Sequence, residues 1–181
     1  LDSTLQYSWF DNTVSGGGLQ SESYKSKGLT ASLETGYSFN ILKQENTNYF
    51  LKPKAKLIYQ NIKANNFEEI NGTVLDNTGL NNLQTRIGME AFMDIYSNKS
   101  NVEKNVIPYL EMTWIHNKNK LGVLLDDNLV NQSGGKNSYE VKVGAHGHIN
   151  QQLSLRGSLD HEFGENSYKK SSLTLGLKYS F

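Results

Sequence analysis

The sequence predicts an all-β chain folded as an antiparallel, up-and-down barrel. Eight stretches alternate apolar and polar residues at a period of two, no apolar run approaches the roughly 20 residues of a membrane helix, and the links between stretches alternate long and short. The pattern is plainest at the end of the chain. Leu173, Leu175, Leu177, Tyr179 and Phe181 fall on one face, with Ser172, Thr174, Gly176, Lys178 and Ser180 on the other. The 10 tyrosines and 2 prolines favour strands over helices. A mean hydropathy of −0.57 suits a ribbon whose second face is polar by construction.

Taken in order, strand one sets Leu1, Leu5, Tyr7 and Trp9 against Asp2, Thr4, Gln6 and Ser8, then runs into a polar, Gly-rich link reaching about Lys27. Strand two spans about Gly28 to Asn40, with Leu29, Ala31, Leu33, Tyr37 and Phe39 opposite Thr30, Ser32, Glu34 and Gly36. Strand three, about Tyr49 to Asn61, opposes Leu51, Pro53, Ala55, Leu57 and Tyr59 to Lys52, Lys54, Lys56 and Gln60, and Pro53 points to an edge position. Ile62 to Asn82 is expected to be a long loop. Strand four places Leu83, Ile87, Met89, Ala91, Met93 and Ile95 opposite Gln84, Arg86, Gly88, Glu90 and Asp94. Strand five carries Leu110, Met112 and Trp114 against Tyr109, Glu111 and Thr113, and a second long loop follows, in which Leu121 to Leu125 could extend a strand. Strand six opposes Tyr139, Val141, Val143, Ala145 and Ile149 to Glu140, Lys142, Gly144, His146 and His148. Strand seven opposes Leu153, Leu155, Leu159 and Phe163 to Ser154, Arg156, Ser158, Asp160 and Glu162, and strand eight closes the chain.

Two features separate a membrane barrel from a water-soluble sheet. Long links follow strands one, three and five, and short links follow strands two, four and six, as when turns lie on a periplasmic side and loops outside. Only the link after strand seven departs from this parity. The second feature is charge sorting. Glu34, Lys52, Lys54, Lys56, Arg86, Glu90, Asp94, Glu111, Glu140, Lys142, Arg156, Asp160, Glu162 and Lys178 all fall on polar faces, which a water-filled lumen would accept. Arg or Lys on a lipid face costs about 2–4 kcal/mol at mid-bilayer, so hydrocarbon would enforce this separation. The reading is therefore an outer-membrane barrel, with lipid as its outer neighbour and aromatics such as Trp9, Tyr59 and Trp114 at the interfaces.

Composition and motifs exclude several classes. A formal net charge of +0 gives no basic field for nucleic acid, and the absence of cysteine removes disulfides and thiol chemistry. His146 and His148 share a face but lack a recognisable third ligand, so they read as lumen residues. His161 points away from Asp160 and Glu162, which defeats a triad there. The glycines at 16–18 precede no helix and no Lys-Ser/Thr pair, so they are loop. No cofactor, no metal and no enzymatic activity are expected.

Three runs carry a family resemblance: YKSKGLTASLETGYSF from Tyr24 to Phe39, PYLEMTWIHN from Pro108 to Asn117, and the ending GLKYSF from Gly176 to Phe181. Weaker echoes are LKPKAKLIY from Leu51 and LQTRIG from Leu83. Together they resemble the translocator β-barrel domain of autotransporters, the type V secretion proteins, in the pertactin/AIDA-like branch. The resemblance implies a barrel of about twelve strands, of which this chain, from its first residue to its last, supplies the final eight. It also implies a bacterial (Gram-negative) outer-membrane location and export of the protein's own N-terminal passenger. Insertion would be by barrel-assembly machinery of the BamA type, recognising Leu173, Leu175, Gly176, Leu177, Tyr179 and Phe181 as an assembly signal. Some members of the family cleave their passenger using lumenal acids. Glu34, Glu90, Asp94 and Glu111 lie in the corresponding compartment, but the linker such cleavage requires is lacking from this chain. The alternative is a self-contained eight-stranded outer-membrane barrel of the adhesin or defence type, which would require strand one to pair with the terminal strand.

Overall fold

The structure, a computed structural model, describes residues 1–14, 22–64, 67–68, 74–76, 80–97, 104–119, 122–125, 128–131, 136–150 and 152–180. Its main sheet runs in the order β1 (Asp2–Val14), β2 (Glu22–Gly36), β4 (Thr47–Ala64), β7 (Leu80–Ser97), β8 (Lys104–Asn117), β11 (Asn137–His148), β12 (Leu153–Gly164) and β13 (Lys169–Tyr179), while β3 (Phe39–Gln44) also pairs with β4. Every pairing is antiparallel. β2 and β3 are two halves of one staves' width along β4, so the sheet has the eight barrel strands expected. Among the described residues, β1 and β13 do not pair with each other, so the sheet is a half-barrel with two open edges.

Pro53 lies in the interior of the sheet rather than at an edge, and the ladder breaks opposite it. β2 ends at the pair Gly36↔Lys54 and β3 resumes at Phe39↔Leu51. Proline has no N–H to donate across this step, whereas its carbonyl still accepts from Tyr37 N at 3.3 Å. Missing half of one rung splits strand two without displacing strand three. The strands also run further than the pattern implied: β1 continues to Val14, β2 begins at Glu22 and β7 begins at Leu80. Polar residues in these extensions masked the alternation.

The segment around Leu121 is not an extension of a barrel strand. β9 (Gly122–Leu125) pairs with β10 (Asn128–Asn131) and with β6 (Val74–Asp76), which in turn pairs with β5 (Phe67–Glu68). The two long loops thus share a separate four-stranded sheet. Phe181 lies outside the described residues.

The sheet is inside-out relative to a water-soluble protein. Among the described residues the only buried hydrophobic is Ile115, whereas Leu173, Leu175 and Leu177 are 70, 78 and 69% exposed. Ion pairs instead occupy the concave face, where Lys54, Glu90 and Glu111 retain 17, 19 and 12% of their side-chain exposure.

The last hairpin is the tightest on the loop side. Tyr168 N donates to Glu165 O at 3.2 Å, and both central residues, Asn166 and Ser167, have positive φ (57° and 59°). Positive φ at both positions is the pattern of a type I′ turn, which matches the twist of the flanking strands. Asn tolerates this conformation, while Ser carries a Cβ penalty of roughly 1 kcal/mol. Ser167→Gly is expected to stabilise the folded sheet by about 0.5–1 kcal/mol, read as a raised midpoint of heat-modifiable gel mobility. An unchanged or lowered midpoint would contradict the turn assignment.

Candidate functional site

The register stacks the residues of the concave face into rows. Residues that alternate along each strand become neighbours between strands. One row reads Lys52, Glu90, Glu111, Lys142, Asp160 and Ser172 from β4 to β13. The row above it contains Gly36, Lys54, Gly88, Thr113, Glu140 and Glu162. Glu34, Lys56, Arg86, Ile115 and Ser138 make the next.

Opposite charges join these rows into a belt. Lys56 pairs with Glu34 at 3.1 Å. Lys54 contacts Glu90 at 3.1 Å and Glu111 at 2.7 Å, and Thr113 Oγ1 donates to Glu111 at 3.0 Å. Arg86 meets Glu140 at 3.4 Å, Lys142 lies 4.0 Å from Glu140 and 3.2 Å from Asp160, and Ser138 Oγ donates to Glu162 at 2.7 Å. Two of these contacts skip a strand: Lys54 of β4 reaches β8, and Arg86 of β7 reaches β11. Only a strongly curved wall brings such residues together. Gly88, between Lys54 and Glu111, leaves the path clear, since a Cβ there would stand 2.7 Å from Thr113 Oγ1.

The predicted charged residues do not all join the belt. Among the described residues, Lys52, Asp94, Arg156, Glu162 and Lys178 make no ion pair, although Glu162 is tied to the wall by Ser138. Lys52 lies along Gly36, where an added Cβ would come within 3.2 Å of its Cε. Arg156 and Lys178 line a concave trough of about 720 Å³ together with Lys54, Glu90 and Glu140. His148 Nδ1 is 2.8 Å from Ser154 Oγ, and the His146 ring centres 6.2 Å from Tyr109. Asp160 and Glu162 engage the lumen network, whereas His161 bonds Ser171 on the outward face at 2.8 Å. Among the described residues no group of three or more His, Cys, Asp or Glu converges on a metal position.

Sequence reasoning placed Tyr109 on the inner face but missed the aromatic row it belongs to, below the ionic belt. Phe50, Phe92 and Tyr109 lie side by side on β4, β7 and β8, followed by Gly144 on β11. The rings of Phe50 and Phe92 stack at 4.8 Å. Tyr109 lies over Gly144, where a Cβ would come within 2.5 Å of the Gly157 carbonyl oxygen and 2.8 Å of the tyrosine ring, so the glycine makes room for both. Alternation assigns these aromatics to the polar face, and that was the available signal. The strand ends on the long-loop side are tied by amides: Asn82, 2% exposed, and Gln84 both donate to Asn117 Oδ1, at 2.8 and 2.9 Å.

An antiparallel half-barrel with an apolar convex face and an ionic concave wall has the architecture of an outer-membrane-type β-barrel. The chain belongs to the autotransporter β-domain family: the family model described as "Autotransporter beta-domain" matches residues 1–160. The uncharacterized protein YuaQ of Escherichia coli strain K12 is 39% identical over 188 residues, covering 100% of this chain and 14% of that protein. The autotransporter adhesin AIDA-I of Escherichia coli is 35% identical over 186 residues, covering 98% of this chain and 14% of the relative. The crystal structure of the AIDA-I transport unit superposes with a TM-score of 0.83 at 34% identity, over 98% of this chain and 57% of that one. The β domain of the Bordetella autotransporter BrkA, at 19% identity and a TM-score of 0.69, shares the fold over 99% of this chain and 66% of that one. This chain therefore spans a minor part of the full-length relatives named here.

Lys54→Met removes the cation between Glu90 and Glu111, which then face each other directly in register. The expected cost is about 2–4 kcal/mol, since two partly buried carboxylates lose their partner. Adding Glu90→Gln and Glu111→Gln is expected to recover most of it, read in both cases by heat-modifiable mobility. In the same assay Gly144→Val is expected to cost about 1–3 kcal/mol, since its Cβ would meet both the Gly157 carbonyl and the Tyr109 ring, and Tyr109→Ala to recover only the side-chain part.

Proposed function

We propose that this chain is part of an outer-membrane translocator barrel that anchors and exports its own N-terminal passenger, and that it has no catalytic role. The observation carrying this reading is the inversion of the sheet. A continuous leucine-rich outer face needs an apolar neighbour, and an ionic inner wall needs water or a polar polypeptide. Hydrocarbon satisfies the first requirement and a channel the second. The family membership supplies the physiological context, a Gram-negative outer membrane.

The lumenal charges have a defined task in this reading. Lys54, Glu90, Glu111, Arg86, Glu140, Lys142 and Asp160 brace the wall, and with the other predicted inner-face charges, seven acids and seven bases in all, they present a polar, charge-balanced surface to a passing chain. Balance matters, since a wall of one sign would hold oppositely charged segments of the passenger. Lys52, Arg156 and Lys178, without internal partners among the described residues, are the groups available to the transported segment.

Insertion is assigned to the barrel-assembly machinery, acting on the terminal strand. β13 has β12 on one side only, so its outer edge presents free backbone donors and acceptors for strand addition. Leu173, Leu175, Leu177 and Tyr179 supply alternate side chains on the outward face, with Gly176 facing inward, and Phe181 ends the signal.

Surface proteolysis of the passenger in cells expressing the full-length protein tests the proposal. Leu175→Arg, near the middle of β13, is expected to cost about 2–4 kcal/mol of insertion free energy and to deplete the outer-membrane fraction and the surface passenger. Thr174→Arg, one residue away on the lumen face, is expected to leave insertion near wild type. Equal effects of the two substitutions would overturn the assignment of faces.

A further inference from the structure

We infer that the outward rim formed by β8, β11, β12 and β13 at the loop end is a binding site for a phosphorylated glycolipid headgroup. The inference rests on the outer-membrane reading above and adds to it a specific lipid partner. Five rings form a nearly continuous strip across this rim. His116 stacks on Trp114 at 5.6 Å, Tyr139 stacks on Phe163 at 5.9 Å, and His161 lies 6.1 Å from Phe163. The register sets Tyr139 between Trp114 and Phe163, and sets Lys169 beside Phe163. Tyr139, Phe163, His161 and Lys169 are all exposed.

The strip lies where a headgroup would. Two rungs toward the periplasmic side the outward row is Leu110, Val143, Leu159 and Leu173, without charge or hydrogen-bonding side chains. On the other side come the turn at Glu165–Tyr168 and the long loops. The strip therefore sits at the boundary between the apolar band and the extracellular mouth.

Charge on the outward face is sparse. Among strand residues whose side chains are described, Asp11, Lys25, Lys27 and Lys169 are the only ionic groups on that face. Asp11 and Lys25 lie 3.8 Å apart and offset each other, leaving two cations, Lys27 beside Trp9 and Lys169 beside Phe163. The nearby acid, Glu165, is held toward β11: its carboxylate accepts from Lys136 N at 3.0 Å and Asn137 Nδ2 at 2.8 Å. His161 Nδ1 is engaged by Ser171 Oγ at 2.8 Å, which fixes the ring on the outward face beside Lys169.

The form of the strip selects the ligand. The exposed edges of these paired rings form an apolar platform on which sugar C–H groups can rest, and an ammonium holds a phosphate as a point charge. Three interstrand steps make a platform about 14 Å wide, too broad for a glycerophosphate head and suited to a disaccharide. Cationic character lies at the β13 end, so a phosphate would sit over Lys169 and His161, the sugars over Phe163, Tyr139 and Trp114, and the acyl chains down the leucine band. Such headgroups make up the outer leaflet of Gram-negative outer membranes.

The test uses the full-length protein inserted into phosphatidylethanolamine vesicles containing a trace of bisphosphorylated, acylated diglucosamine (lipid A), with the retained lipid measured by native mass spectrometry. The wild type is expected to retain it. Lys169→Glu with His161→Ser is expected to lower retention about tenfold, the equivalent of one charge-assisted phosphate contact, with heat-modifiable mobility unchanged. Enzymatic removal of the lipid phosphates is expected to lower wild-type retention by a similar factor, so the result does not depend on the variant's folding. Equal retention by wild type and variant, no effect of dephosphorylation, or equal competition by phosphatidylglycerol overturns the inference. Protease protection of the same vesicles separates the two readings. Protein that inserts without lipid preference refutes the headgroup site alone, and protein that fails to insert refutes the membrane barrel as well.

Discussion

Each strand of this sheet must satisfy two environments that change at every residue. A half-barrel wall is one residue thick, so there is no third layer in which to bury an error. This explains why the only buried hydrophobic among the described residues is Ile115 and why full charges are found close-packed on the concave side. Hydrophobic burial, the usual organiser of a soluble domain, is replaced by a division between apolar surroundings and an ionic interior wall. The belt from Glu34 to Asp160 then does what a hydrophobic core does elsewhere: it links elements that are not adjacent in the sheet. Lys54 to Glu111 and Arg86 to Glu140 each bridge across an intervening strand, tying curvature to side-chain chemistry.

Most of the architecture was legible because period two is a strong signal wherever one face excludes charge. The eight strands, their pairing order and the face assignment of Lys54, Glu90, Glu111, Lys142 and Asp160 all follow from alternation. What was not legible depends on neighbours. Pro53 argued for an edge, yet its cost is absorbed by a gap in the adjacent strand, visible only when Gly36↔Lys54 and Phe39↔Leu51 are set side by side. The ends of β1, β2 and β7 carry polar residues on both faces, so periodicity fades there although the ladders continue. Gly122–Leu125 reads as a strand in sequence, but nothing local says that its partners are Asn128–Asn131 and Val74–Asp76.

The lumen wall illustrates the same limit at the level of single residues. Alternation placed the lysines and acids on one face, but not which would pair. Lys52 is opposite Glu90 in register, yet Lys54 takes that carboxylate and Lys52 lies along Gly36 instead. Tyr109 was placed on the inner face by alternation, but Phe50 and Phe92 beside it were hidden by the habit of counting apolar residues as outward. The members of this row are bulky on one side of the wall and meet Gly144 and Ser158 on the other, so the inner surface is uneven at that level.

The Asn166–Ser167 turn bears on the order of assembly. A two-residue connection closes with little loss of chain entropy, and an isolated hairpin of this kind forms within about 1–10 μs. β12 and β13 can therefore zip together before any distant part of the chain is in place. The terminal strand would then arrive at its insertion site as half of a prefolded ribbon. Of that ribbon's two edges, the β12 edge is later taken by β11, which leaves the β13 edge open.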